Sequence, residues 1–405
     1  MNPKVLLVHN YYSSLAPSGE NLVVESESKL LQQHGYEVAE FFRYSDEISD
    51  QGVRGMITGA LSTPWNPFST RSIKRVVGAF KPAVVHVHNT FPLISPAIFQ
   101  SIGSRSARVL TLHNYRLFCP AAIPMRDGHV CTECISRRSI QPALQHGCYR
   151  ESRLATLPLA LSVALHRSLG TWKNQVDAFI ALTEFQRDLM IEAGLPADLV
   201  HIKPNFYPNK PVVVPWEDRR RCVVFAGRLT AEKGVESLVR AWMMWGKSAP
   251  ELCIAGDGAL KEELIKLASS EPNVPIRFLG QLDSAAAQEK IANSRLLVLP
   301  SRCFEGFPMV VREAFAFGTP VAASEIGPLP SIVHHGENGV IFPAGNPKSI
   351  LDVIQTAWNA EGELKRLAVG ARRSFELLYT EEVNFKLLTG IYQQAMEVSQ
   401  RRKSA

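Results

Sequence analysis

Acidic residues are nearly missing from one long window. Between positions 51 and 150 the chain carries 12 Lys/Arg against only Asp127 and Glu133, a local net charge of +10 (12 − 2), while the whole 405-residue chain is at +6. Such an imbalance fits either a basic surface on one domain or a face for an anionic ligand, a phosphate or a membrane. Nucleic acid is not the expected partner, since no Lys/Arg run has interleaved aromatics. Long apolar runs are also lacking. The most apolar stretch, 154–172, is interrupted by Pro158, His166 and Arg167, and it falls short of the ~20 apolar residues of a spanning helix. The opening "MNPKVLLVHNYY" has four apolar residues together and then a histidine, which reads as a first strand rather than a signal peptide. With no leader in that reading, seven cysteines predict a reducing, cytoplasmic setting.

What is present is a repeated alternation of short apolar runs and helical patterns. Strands are predicted at 4–10, 83–89, 107–114, 178–183, 222–228, 251–258, 276–280, 296–301 and 320–324, and helices at 18–35, 235–245 and 260–270. Most strand runs are continuously apolar, as in parallel strands buried on both faces. The fold class is therefore α/β with doubly wound parallel sheets, and the length asks for two domains. Four prolines in "KPNFYPNKPVVVPWEDRRR", 203–221, mark the hinge. The predicted domains are 1–205 and 206–384, with the helix at about 385–405 packing back on the first. In such sheets ligands bind outside the carboxyl ends of the strands, so the loops after them carry the chemistry, 10–19 and 113–120 among them.

Three of those loops stand out. In "AGRLTAEKG", Arg228 and Lys233 follow a strand and could both reach one diphosphate, or could be solvated loop cations. In "IAGDGALKEEL", Lys261 stands where a third glycine would complete a dinucleotide fingerprint. Gly258 there either faces a ligand or permits close backbone approach. In "FEGFPMVVREAFAFGTPVAAS", Glu305 and Glu313 stand eight positions apart. Pro308 suits a first helical turn and Gly318 a helix end. Met309 and Val310 would then offer unpaired amides to an anion. Glu313 would lie ~7 Å further along at 1.5 Å per residue, the height of a ribose. Taken alone, the two glutamates could equally be ordinary helix and loop charges.

Together, in this order, the motifs resemble the retaining nucleotide-sugar glycosyltransferases of glycosyltransferase family 4. The resemblance covers nearly the whole chain, and "GRLTAEKG", "IAGDG", "LPSRCFEGFPMVVREAFAFGTPVAAS" and "SIVHHGENGVIFPAGNP" all stand in the family's order. The resemblance implies a GT-B fold, two facing Rossmann-like domains with an interdomain cleft. It implies a UDP- or GDP-sugar donor and a glycan or polyprenyl-linked acceptor. It assigns Arg228 and Lys233 to the donor diphosphate, Glu305 to the sugar hydroxyls and Glu313 to the ribose. Phe307, Pro308, Met309 and Val310 become the loop and helix start against sugar and phosphate. His113 becomes the histidine near the donor sugar, and Gly19 the phosphate-touching glycine. Three positions depart from the family pattern: Ser18 stands where a paired glycine is common, "NFYP" (205–208) replaces Asn-Gly-Val-Asp, and Ser331 replaces a glutamate. The sequence holds no Asp-x-Asp, so a divalent metal at the diphosphate is not expected. Catalysis then needs no cofactor.

Cys119, Cys131, Cys134 and Cys148 crowd into 30 residues, with His129 and His146 as substitute ligands. Lone thiols flanking a Cys-x-x-Cys suit a structural zinc, with unmetallated thiols, a redox pair or an iron–sulfur cluster as alternatives. The expected activity is a hexosyltransferase of bacterial surface polysaccharide synthesis, with peripheral membrane contact through the basic N-terminal domain and 154–172. A nucleotide-sugar epimerase on the same fold and a non-catalytic zinc-containing binding protein are the alternatives.

Overall fold

A computed structural model describes residues 2–12 and 18–404. The chain divides into two compact units. The first comprises 1–124, 132–204 and 384–405, and the second comprises 125–131 and 205–383. The 119–148 block, expected as one insertion in the N-terminal domain, is thus shared. Its hairpin, β5 (Met125–Arg126) with β6 (His129–Val130), belongs to the second unit.

The first unit is built on β1 (Val5–Tyr11), β2 (Val38–Tyr44), β3 (Val84–Val87), β4 (Ala107–Leu112), β7 (Ala178–Ala181) and β8 (Val200–Ile202), all parallel. Their order is β2-β1-β3-β4-β7-β8. The second unit holds β9 (Arg220–Ala226), β10 (Glu251–Ala255), β11 (Ile276–Gly280), β12 (Ser294–Leu299), β13 (Val321–Ser324) and β14 (Gly339–Phe342). These too are parallel, in the order β11-β10-β9-β12-β13-β14. Central strands such as "VLLV" and "CVVFA" are buried on both faces, which is why they read as unbroken apolar runs. Three strands of the sheets were missed: β2, β8 and β14. All are edge strands: "VAEFFRY" is only half-buried and lacks continuous apolarity, while β8 and β14 are only three and four residues long.

Each doubly wound order has one point where successive connections leave in opposite directions. It lies between β1 and β3 in the first unit and between β9 and β12 in the second. The carboxyl ends of those strands flank the crevice where such sheets take ligands.

The last helix, Glu381–Ser404, buries Leu388, Ile391, Tyr392 and Ala395 in the first unit's core beside Val5, Leu7 and Ile180. Arg402 Nη1 donates to Asp177 Oδ1 at 3.0 Å, and Tyr392 Oη bonds His86 Nδ1 at 2.8 Å. Among the described residues no helix is long and apolar enough to cross a membrane. The 154–172 stretch forms a helix, Arg153–Ser168, with Pro158 inside it.

Candidate functional site

At the second unit's switch point, backbone packing decides where the side chains go. Gly234 has φ +68°, and a Cβ there would lie 1.9 Å from the Pro300 carbonyl oxygen, so no larger residue fits. The Arg302 amide donates to Glu232 O at 2.8 Å, stitching the loop after β9 to the loop after β12. Lys233 is thereby delivered to Glu305. Its Nζ donates to Oε1 at 2.7 Å and Oε2 at 2.9 Å, while Ser301 Oγ donates to Oε1 at 2.6 Å. Burial would raise the Glu305 pKa, but the Lys233 charge and the bonds from Lys233 and Ser301 outweigh it and hold the carboxyl below its usual range. Burial likewise pulls on Lys233, and the Glu305 charge overrides it and keeps the ammonium protonated. Arg228 is different. Its side chain is 65% exposed and leans on Glu232 at 3.4 Å.

The helix expected after Glu305 runs from Met309 to Ala316. Pro308 is not in its first turn as predicted but in the capping position before it, with extended backbone. The first helical bond runs from the Val311 amide to Pro308 O at 3.1 Å, which leaves the Met309 and Val310 amides at the open end. Gly318 closes the helix with φ +64°. Phe307 turns inward against Tyr379, rings 5.4 Å apart, so its side chain anchors the loop and its backbone is what it can offer a ligand. Glu313 is buried rather than projecting from the helix. Burial raises its pKa, opposed by Arg312 and by a bond from Gln288, which also accepts from Tyr207 Oη at 2.9 Å.

Gly258 does permit close backbone approach. Its φ is +155°, and a Cβ would fall 2.6 Å from Leu229 O, so it lets the loop after β10 close on the Arg228 loop. The "NFYP" departure also has a packing reason. Asn205 Nδ2 meets Met309 Sδ at 3.6 Å, Phe206 is buried, and the Tyr207 amide bonds Tyr379 O at 2.9 Å.

In the first unit, residues 13–17 of the expected glycine loop lie outside the described residues. Gly19 begins the helix Gly19–Gln33, and Ser18 caps it by accepting from the Glu20 amide at 3.3 Å, a use for the departure from glycine. His113 follows β4, half-buried, with Nε2 3.0 Å from His88 Nδ1. His88 Nε2 faces Glu27 Oε2 at 3.5 Å, and Glu27 Oε1 accepts from Lys203 Nζ. Burial, with His9 and Lys203 nearby, pushes His113 well below the ordinary histidine range, so the ring is neutral near pH 7. His9, lowered to about 4 by burial, is neutral too.

Sequence reading missed Ser301, Glu20 and the histidine network. Glu20 is held at the same sheet edge by Asn114 Nδ2, 3.0 Å away, and burial raises its pKa to about 7 against Asn114, Arg116 and Tyr12. The available signals were "HVHN" at the end of β3 and a carboxylate at the first helical turn after β1.

Among the described residues Glu27, His86 and His88 are the one set whose ligand atoms cluster within 4.8 Å. Lys203 already occupies that carboxylate, and His86 is spent on Tyr392 and Thr111 Oγ1 (2.7 Å), so the set is a buried polar network rather than a cation site. Cys119, Cys134 and Cys148 lie in the first unit and Cys131 in the second. None of the seven cysteines forms a disulfide.

Residues 17–208 match the family model "Glycosyltransferase Family 4", and residues 207–374 match "Glycosyl transferases group 1". The chain belongs to the GT-B glycosyltransferase family. Among curated relatives, an uncharacterized glycosyltransferase of Methanocaldococcus jannaschii is 29% identical over 46% of this chain and 48% of its own length. A phosphatidyl-myo-inositol mannosyltransferase of Mycobacterium leprae is 30% identical over 49% of this chain and 54% of its own. The matched region thus spans about half the length of the curated relatives. Among solved structures, HepE of Anabaena, in complex with UDP and glucose, superposes with TM-score 0.63 at 17% identity, covering 96% of this chain and 99% of that one. Sucrose-phosphate synthase of Thermosynechococcus elongatus does so at 0.70 and 18%, covering 97% and 99%. At these identities the likeness is one of fold, and it agrees with the GT-B class expected from the motifs.

Proposed function

We propose that this chain is a retaining hexosyltransferase that moves a sugar from a UDP- or GDP-sugar to a hydroxyl of a glycan or lipid-linked acceptor, in bacterial surface polysaccharide synthesis at the cytoplasmic face of a membrane. The observation that carries the reading is the Lys233–Glu305–Ser301 cluster beside the open amides of Met309 and Val310, at the crevice of a doubly wound sheet.

Cleavage of a sugar–phosphate bond leaves negative charge on the departing nucleoside diphosphate. A fixed ammonium and a helix N-terminus meet that charge without reorganising, and the exposed Arg228 guanidinium adds to them. The Glu305 carboxylate can accept hydroxyls of the sugar being transferred, and Glu313 those of the ribose. Neutral His113 would offer a hydrogen-bonding edge to the donor sugar. Retention of configuration rests on the family resemblance. The UDP and glucose named with HepE support the donor class. The lack of Asp-x-Asp supports a diphosphate handled by cations of the protein. A structural zinc in the cysteine block is proposed with it.

The test is a thermal-shift screen over UDP, GDP and their sugars, followed by transfer from the donor found to a polyprenyl-linked acceptor. Stabilisation by one nucleotide and acceptor-dependent product are expected. Donor turnover without any acceptor would support an epimerase instead, and no nucleotide binding would favour the non-catalytic alternative.

A further inference from the structure

The helix Gly52–Ser62 is amphipathic the wrong way round for a surface helix. It buries its small residues Gly55, Gly59 and Ser62. A Cβ on Gly55 would stand 2.1 Å from Ile48 O, and one on Gly59 2.9 Å from Ile48 Cδ1. Its large side chains face out: Val53, Met56, Ile57 and Leu61 are 66%, 57%, 56% and 74% exposed. Their i, i+3, i+4, i+8 spacing makes one stripe.

Neighbouring elements expose further large apolar side chains. Phe68, in the first turn of the helix Pro67–Phe80, is 71% exposed. The helix Arg153–Ser168 is fastened alongside by Ser162 Oγ to Thr63 O at 3.3 Å and His166 Nε2 to Pro64 O at 2.9 Å. It leaves Leu154, Leu157 and Leu161 exposed in a row of their own. A soluble surface rarely gathers this many large apolar side chains without a partner.

Charge says which partner. No acidic residue occurs between Asp50 and Asp127, or between Glu151 and Asp177. Exposed Arg54 adjoins the Ile57–Leu61 row, and Arg71 and Arg75 extend the Phe68 row at i+3 and i+7, with Lys74 beside them. Among the described residues none of the four has a salt bridge. A second copy of this chain would set like charges against each other. An anionic lipid surface would take the apolar stripe into its interfacial layer and the cations at its headgroups.

We propose that the face formed by Gly52–Ser62, the start of Pro67–Phe80 and Arg153–Ser168 docks on an anionic phospholipid bilayer. The inference deepens the membrane contact of the proposed function. It is tested without donor or turnover, so its failure would leave the transferase reading standing.

The full chain is floated with phosphatidylcholine vesicles, with and without phosphatidylglycerol, at low and high salt. Flotation only with phosphatidylglycerol, weakened by salt, is expected. Arg71→Gln/Lys74→Gln/Arg75→Gln should weaken binding roughly a hundredfold or more. Leu61→Ser/Phe68→Ser should weaken it at either salt. All five positions are exposed, and circular dichroism checks that the fold is kept. Wild-type protein that stays unbound with anionic vesicles at low salt overturns the proposal, as does undiminished flotation of both variants. A dimer of the wild type that Leu61→Ser/Phe68→Ser dissociates would assign the face to a second copy and overturn it equally.

Discussion

Lys233 Nζ lies 2.7 Å from Glu305 Oε1 and 2.9 Å from Oε2, so the residues assigned to diphosphate and sugar are bonded to each other. The side chains retain only 18% and 11% exposure, and removing one leaves the other nearly desolvated and uncompensated. Each partner orients the other before the donor arrives. The pair's contribution to stability is complete only where both are charged. It is lost as pH falls through the lowered Glu305 pKa and as pH rises through the raised Lys233 pKa.

Lys233→Ala and Glu305→Ala should each lose about a hundredfold or more in turnover while remaining folded. The double variant should lose less than the product of the two, because one interaction is removed twice. Steady-state rates of the three variants with the donor found by thermal shift decide it. Wild-type-like rates in both single variants would reject the site.

Glu27 and Lys203 form a second pair, fully buried among His86, His88 and Asn384 in the first unit. Lys203→Met should destabilise the chain by about 3–5 kcal/mol, since it strands a carboxylate in the core. Glu27→Leu/Lys203→Met should recover most of that loss. Urea unfolding of single and double variants is the measurement. A double variant as unstable as the single one would show that the pair is held by its surroundings and not by charge compensation.

The two crevices were legible from the sequence because parallel central strands advertise themselves by unbroken apolarity and their loops follow directly. Arg228, Lys233 and Glu305 stand in short, glycine-marked loops, where position follows from the strand end. Glu313 was placed on the right helix, but its burial depends on Gln288 and Tyr207, which are distant in sequence. Glu20 escaped for a similar reason: its neighbour Asn114 is 94 positions away. Edge strand β2 escaped because half-exposed residues carry no continuous apolar signal. The division of the cysteine block between two units follows from tertiary contacts that spacing does not encode.

Glu20 predicts a pH signature. Its folded pKa, raised to about 7 by burial, lies above the unfolded value. The stabilising contribution of the neutral carboxyl is therefore complete below the unfolded pKa and is lost as pH rises through about 7. Glu20→Gln keeps a neutral group and removes that loss. The unfolding free energy of the variant minus that of the wild type, from urea titrations, should grow from about pH 5 to about pH 8 by up to about 3 kcal/mol. A difference flat with pH would mean the carboxyl is ionised throughout.

The cysteine block makes a prediction of composition. Burial, then the neighbouring Cys134, push the Cys119 thiol up to about 12, with Cys148 adding to the effect. A bound cation would reverse that by favouring thiolates. Metal analysis of protein purified without chelator should find about one zinc per chain. Cys119→Ser should lower that content and the Tm together. Metal-free protein of undiminished stability would end the zinc reading.

Gly234 offers a way to disturb the site without touching a charged group. Its left-handed backbone and the 1.9 Å approach of Pro300 O leave no room for a methyl, so Gly234→Ala must push the β9 loop away from the β12 loop or strain both. Separation of the loops would lengthen the Lys233–Glu305 contact. Stability should fall by about 1–3 kcal/mol, the scale of one strained backbone position. Nucleotide-induced thermal stabilisation should fall much further in proportion, because the cation and carboxylate no longer share one geometry. If Gly234→Ala lowers Tm yet keeps the full nucleotide shift, the stitched loops are a feature of the fold alone, and Lys233 reaches the diphosphate from a loop free to move.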